Sequence, residues 1–265
     1  MNAPSLMILW LWPDILNLHG DRGNIAAVKR LAKTFGIKTE VRRVTRLSDT
    51  IDFSPADLIF LGPGELASMP FIIGALEKHR GTLEARVNSG GTLFCTGTTG
   101  AALSRKIHRA NGETFHGLGL LSMDCEERTV IHGDDLIYEI GDERVFGVQI
   151  RTVDFLLDRN QEPLGKLVYG LDNSGRVRTE MDNVSHGFEG AVKKGFLFTN
   201  ALGPVLVKNP RIAVKLIRDA LSQKAPEYAN DDANFALPKD MFLLEDESAR
   251  AVTRFNKTKQ QPKTE

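Results

Sequence analysis

Residues 6–11 and 58–61 contain no polar side chain, and each run stops at a turn rich in glycine or proline. A strand that is apolar at every position has no solvent-facing side, so it must be covered on both faces, as strands of a parallel sheet are. Between these runs the spacing changes. Ile25, Val28, Leu31 and Ala32 recur at helical intervals, with Asp21 or Asn24 available as a cap and Gly36 as a stop. Residues 39–44 alternate like a strand, and residues 70–79 are expected to be helical. A third apolar run, residues 92–94, again leads into an Ala/Leu helix. Strands and helices therefore alternate through the first part of the chain, which predicts an α/β fold with a mainly parallel sheet flanked by helices.

The third run carries the chemistry that stands out. Residues 89–103 read as strand, small-residue turn and helix, with Cys95 closing the strand and Gly97 and Gly100 behind it. That order is the one a nucleophile elbow uses, where the reactive side chain sits on a strained turn above the sheet edge. A thiol at such a place feels the positive end of the helix, which favours the thiolate. The bland alternative is a cysteine serving as a small hydrophobe at the end of a buried strand.

Farther on, residues 115–121, 128–132, 136–140, 145–150 and 164–171 read as short antiparallel strands added to the core. A strand at 195–200 and a helix starting at Asn209-Pro210 complete the main unit. The composition changes after Ala225. We expect one domain over residues 1–225 and a C-terminal extension over 226–265, with one amphipathic helix near 240–255 and a mobile polar end. Lys+Arg and Asp+Glu both number 34, so net charge gives no reason to expect nucleic acid or an anionic membrane as partner. The two cysteines, Cys95 and Cys125, have no metal-ligand spacing, and neither a metal nor a cofactor is expected. Residues 6–12 are too short an apolar run to span a bilayer, and a reducing cytoplasm fits the cysteine usage.

Several blocks occur in one order: residues 13–18, Gly20-Asp21-Arg22-Gly23-Asn24-Ile25, the glycine turn after residue 61, the Cys95 turn, Gly117-Leu118-Gly119-Leu120-Leu121, and Gly203-Pro204 with Lys208-Asn209-Pro210. Together they resemble the class I glutamine amidotransferases of the cobyric acid synthase-like group, over roughly residues 6–222. Within that group the likeness is to subunits that work with a Mur-ligase-like synthetase to amidate the peptidoglycan precursor lipid II. The resemblance implies a flavodoxin-like sheet and glutamine as substrate. It implies Cys95 as the nucleophile forming a γ-glutamyl thioester, the N–H groups of Thr96 and Gly64 as oxyanion donors, and Arg128 as the holder of the glutamine α-carboxylate. Glu126 and Glu127 offer Arg128 a plain surface ion pair instead.

The chain also departs from the pattern. Leu202 stands directly before Gly203-Pro204, where the family has its histidine, and leucine cannot take a proton. Thr99 replaces a glutamine-contacting Gln, and Gly187-Phe188-Glu189-Gly190-Ala191 stands where Gly-Phe-Glu-Asn-His is expected. His186 is the remaining candidate base, ahead of His19, His108, His116 and His132, and Glu189 is either an orienting acid or a solvated turn residue. Three readings follow: a working glutaminase subunit supplying ammonia to a Mur-ligase-like partner, a degenerate pseudo-amidotransferase acting by binding, or another cysteine hydrolase with His186 as base.

Overall fold

The computed structural model describes residues 4–178 and 187–260. Its main sheet is built from β1 (Ser5–Leu11), β2 (Lys38–Val44), β3 (Leu58–Leu61), β4 (Thr92–Thr96), β12 (Ala191–Lys193) and β13 (Phe196–Thr199), in the order β12-β13-β4-β3-β1-β2. All neighbours run parallel except β12, which pairs antiparallel with β13 at the edge. The order 2-1-3-4 followed by a fifth parallel strand is the flavodoxin-like winding.

Alternation along each strand explains why the runs had to be wholly apolar. Leu9, Leu11, Ile59, Leu61, Leu93 and Cys95 lie in one core, against α2 (Met69–Glu77) and α3 (Arg80–Asn88). Leu6, Ile8, Trp10, Leu58, Phe60 and Phe94 lie in the other, against α1 (Arg22–Thr34) and α6 (Pro210–Leu221). Both faces are buried, as the sequence pattern requires.

The middle of the chain differs from the expected short strands. A long antiparallel hairpin, β7 (Met123–Ile140) and β8 (Glu143–Leu157), replaces three of them, with an irregularity between Glu127 and His132. Together with β5 (Lys106–His108), β6 (Thr114–His116), β9 (Gly165–Leu171), β10 (Val177–Arg178) and β11 (Phe188–Glu189), it forms a second sheet. Val130 and Ile131 at the irregularity are exposed, so their apolar character did not mark a buried strand. β8 reaches the main sheet, where Val148 pairs with Leu202.

Beyond α6, Tyr228 donates its hydroxyl to the Phe35 carbonyl (2.6 Å), and the Phe35 and Phe235 rings lie 5.0 Å apart. The chain after residue 225 thus packs on the same core as α1 and α6. The last helix, α8 (Leu243–Gln260), extends farther than the expected 240–255 and includes residues read from sequence as mobile.

Asn209 joins the two sheets' connections. Its Oδ1 accepts the Phe146 N–H (2.8 Å), and its Nδ2 donates to the Phe146 and Val205 carbonyls (both 2.7 Å). The residue is 6% exposed, so Asn209→Ala removes the partner of the Phe146 N–H and carbonyl in the hairpin and leaves the Val205 carbonyl of α5 (Val205–Lys208) with only the Asn209 backbone N–H. That loss is expected to lower unfolding stability by about 2–4 kcal/mol. A urea titration with an unchanged m-value checks it; a shift below about 0.5 kcal/mol rules the bridge out as a stabilising link.

Candidate active site

Ligands of open α/β sheets bind outside the carboxyl ends of the strands, where the winding reverses, here between β1 and β3. Three segments meet there: the β1–α1 loop, the Gly62-Pro63-Gly64 turn after β3, and the turn after β4. A fourth, Leu202-Gly203-Pro204, follows β13.

Cys95 is not at the apex of the β4 turn. It lies within β4, paired with Phe198 and Leu61, and is 0% exposed. Burial, and secondarily the nearby Asp21 carboxylate, push its thiol far above the range in which a thiolate forms at neutral pH. The helix field anticipated from sequence is therefore outweighed by desolvation. Cys95 is placed here as a core residue.

The apex is Gly97. It follows directly on β4, has φ +62°, and opens the helical turn that continues through residues 97–103. A left-handed residue between strand and helix is the backbone state of an elbow nucleophile, and glycine adopts it without steric cost. A Cβ at this position would lie 2.5 Å from Leu202 Cδ2 and 2.9 Å from Pro63 Cβ. Leu202, 3% exposed, therefore occupies the space in which a side chain at the apex would stand. The chain thus brings the turn after β4 and the turn after β13 together at Gly97 and Leu202.

One of the two predicted oxyanion donors, the Gly64 N–H, is committed elsewhere. The Gly64 N–H donates to the Thr99 hydroxyl (3.0 Å), which in turn donates to the Gly62 carbonyl (2.8 Å). Thr99 thus ties the glycine turn rather than reaching for a ligand. A Cβ at Gly64 would meet Leu16 Cδ2 at 2.5 Å, and one at Gly62 would meet the Leu16 carbonyl oxygen, so these glycines admit the β1–α1 loop. Thr96 is buried, and its hydroxyl donates to Asp21 Oδ2 (2.6 Å).

Arg128 is engaged by Asp154, whose two carboxylate oxygens lie 2.8 and 3.0 Å from one guanidinium nitrogen, and by the Val130 carbonyl. Its partner is neither Glu126 nor Glu127; Glu127 pairs with Arg109 (2.7 Å). Glu189 is not a solvated turn residue. It is fully buried and accepts from the Thr199 hydroxyl (2.8 Å), the Asn200 N–H (2.6 Å) and Asn200 Nδ2 (2.9 Å). Burial raises its pKa above the ordinary carboxylate value, opposed by the Asn200 hydrogen bond and by Arg151. His186 lies outside the described residues. His19, His108 and His116 are exposed, and His132 is half-buried on β7. Among the described residues no group of His, Cys, Asp and Glu side chains is arranged to hold a metal ion. Nor is any helix long and apolar enough to cross a membrane, again among the described residues.

Asp21 and Asn24 do not cap α1, which has no side-chain cap hydrogen bond. Asn24 Oδ1 accepts the Leu206 N–H (2.8 Å), and Asp21 bonds across to β4. Sequence reasoning missed both this inward role and the apex. The signal for the apex was Gly97 itself, the residue after the strand best able to take positive φ.

No family model matches the chain. It is similar to two curated proteins, each named lipid II isoglutaminyl synthase (glutamine-hydrolyzing) subunit GatD. The Streptococcus pneumoniae (strain ATCC BAA-255 / R6) protein is 26% identical over 228 residues, covering 83% of this chain and 82% of that one. The Staphylococcus aureus (strain N315) protein is 29% identical over 230 residues, covering 83% and 86%. Among solved structures, a glutamine amidotransferase superimposes with a TM-score of 0.51 at 21% identity, covering 80% of this chain and 98% of that one. The fold is that of the glutamine amidotransferases.

Two measurements test the closed apex. Cys95 is expected to resist alkylation in the native protein at mildly alkaline pH and to react only in denaturant; labelling of native Cys95 as fast as a free thiol contradicts its burial. Gly97→Ala is expected to cost about 2–4 kcal/mol, from overpacking and positive φ together. Leu202→Ala should make that cost smaller, so a double-mutant cycle that comes out additive shows that the two residues do not contact.

Proposed function

We propose that this chain is an amidotransferase-type subunit that works beside a Mur-ligase-like synthetase amidating a peptidoglycan precursor, and that its own glutamine-hydrolysing centre is closed. On this reading it acts by binding and regulating its partner. The pathway is supported by the similarity to the two lipid II isoglutaminyl synthase subunits and by the shared fold. The loss of hydrolysis is supported by one observation above the others: Gly97 forms the apex of the β4 turn, with Leu202 packed on it.

The chemistry makes clear what is missing. Glutamine hydrolysis needs a thiolate within reach of the amide carbon, a base to move a proton, and two N–H donors aimed at the developing oxyanion. Here the apex has no side chain, the residue before Gly203-Pro204 has no titratable group, and the Gly64 N–H is already bonded to Thr99. General acid–base catalysis alone contributes roughly 10²–10⁴-fold, and the nucleophile is the larger loss.

A working glutaminase remains the competing reading, because both relatives are named as glutamine-hydrolysing. It needs Cys95 to leave the core and His186 to serve as base.

The deciding experiment is glutamate release from glutamine by the purified chain, alone and with the synthetase subunit, compared with Cys95→Ala. We expect no release above background in either protein, together with a stable complex with the synthetase. Release that Cys95→Ala abolishes overturns the closed-centre reading. Absence of any complex removes the partner assignment.

A further inference from the structure

The zero net charge conceals an asymmetry. Eight of the 34 Lys and Arg lie between residues 22 and 46, where Glu40 is the one acid, so the rest of the chain carries the matching excess of carboxylates. All eight basic side chains belong to exposed residues. Among the described residues, Arg42 is the only one of them in a salt bridge, with Glu40 at 3.5 Å, and both of those side chains are at least half exposed.

The fold gathers these charges at one edge of the molecule. β2 is the outermost strand of the main sheet and pairs with β1 alone. Val41 of β2 packs on the cluster that holds Ile25, Val28, Leu31 and Ala32, the buried stripe of α1. The opposite stripe of the helix, Arg22, Ala26, Lys29 and Lys33, therefore faces solvent. Gly23 and Arg30 lie on the flank turned to Pro204 and Phe242, so Arg22 and Lys29, on the other flank, lean toward β2. Along β2 the alternation sends Arg43 to the α1 face, where its guanidinium lies 5.0 Å over the Trp10 ring, and sends Lys38 and Arg42 to the other face. Arg46 follows just after the strand. The basic side chains thus wrap the β2 edge from both sides. Acids border it rather than fill it: Asp52 interacts with Arg42, Asp49 accepts the Arg46 N–H (3.1 Å), and Glu245 stands beside Arg30.

We propose that this edge, formed by α1 and β2 together, is the surface on which the subunit adsorbs to an anionic membrane leaflet, without inserting into it.

Charge complementarity carries the assignment. A cluster of four to eight Lys and Arg on one face is drawn to a negatively charged lipid surface over about one Debye length. Among residues 22–46 no large apolar side chain is exposed, so the attraction is electrostatic and involves no burial in the acyl layer. Trp10 and Phe35, the aromatic side chains of this edge, are buried, which leaves no ring on which a nucleic-acid base could stack. The inference rests on the proposed role beside a synthetase acting on a lipid-linked precursor, since such a substrate lies at a membrane surface; both relatives are named for lipid II.

The test is co-sedimentation of the full chain with vesicles of phosphatidylcholine alone and with about one-third phosphatidylglycerol, at low and high salt. Two triple variants with the same change of charge are compared. One is Lys29→Gln/Lys33→Gln/Lys38→Gln on the edge. The other is Lys106→Gln/Lys166→Gln/Lys194→Gln, on the second sheet and at the opposite edge of the main sheet. Each Lys held near an anionic surface strengthens adsorption by roughly fivefold, so the edge variant is expected to bind anionic vesicles about a hundredfold more weakly. The other variant should stay within about twofold of wild type, because its lysines lie beyond a Debye length from the surface. Wild-type binding should be lost on neutral vesicles and fall steeply with salt, a readout that needs no variant to fold. Equal loss in both variants, no loss in either, or equal binding to neutral vesicles overturns the proposal. So does a failure to bind anionic vesicles, or tighter binding to a DNA duplex at the same salt. The vesicles contain neither glutamine nor the synthetase, so failure here leaves the partner assignment standing, and absence of a complex with the synthetase leaves adsorption measurable.

Discussion

The backbone at Gly97 constrains everything assembled at the carboxyl edge of the sheet. β4 lies inside the sheet and must leave it abruptly, because the space beyond its end is filled by Pro63 and Leu202. Only a residue at home with φ +62° and without a Cβ allows strand, turn and helix to be joined there at that packing density. The neighbouring pieces then lock in turn: Thr99 closes the Gly62-Pro63-Gly64 turn, that turn receives Leu16, and β8 pairs with Leu202.

Polar groups at the site have been turned inward. Glu189 carries three hydrogen bonds to residues of β13 and its exit, and Asn173 exchanges bonds with Gly190 while accepting from Asn200. Arg151, 3% exposed, donates to the carbonyls of Val153, Asp172 and Asn173 and to Asp154. A buried network of this kind is stabilising only while every member is satisfied. It ties β8 and β11 of the second sheet to the loop after β9 and to the exit of β13.

The parallel core was legible because its signal is local: uninterrupted apolar runs at 6–11 and 58–61 demand cover on both sides. The hairpin was less legible. Val130 and Ile131 interrupt it with exposed apolar side chains, and its register shifts between Glu127 and His132. That Leu202, before Gly203-Pro204, carries no titratable group could be read directly. The apex could not be placed so readily, because a cysteine near a glycine-rich turn draws attention toward itself, and whether a strand ends at residue 94 or 96 is a boundary that local pattern does not determine.

That boundary decides the chemistry. Cys95 and Gly97 are two residues apart, and the rise along a strand is about 3.3 Å per residue, so Cys95 sits about 7 Å back into the sheet. A displacement of that size takes a thiol from a turn open to a helix N-terminus to a site enclosed by Leu93, Phe198 and the helices of one face. The same sulfur that would be a nucleophile two positions later is thereby a small core side chain, kept neutral by desolvation. In an elbow fold the residue presented at the apex is thus set less by its type than by which residue the backbone forces into positive φ, and here that residue is Gly97.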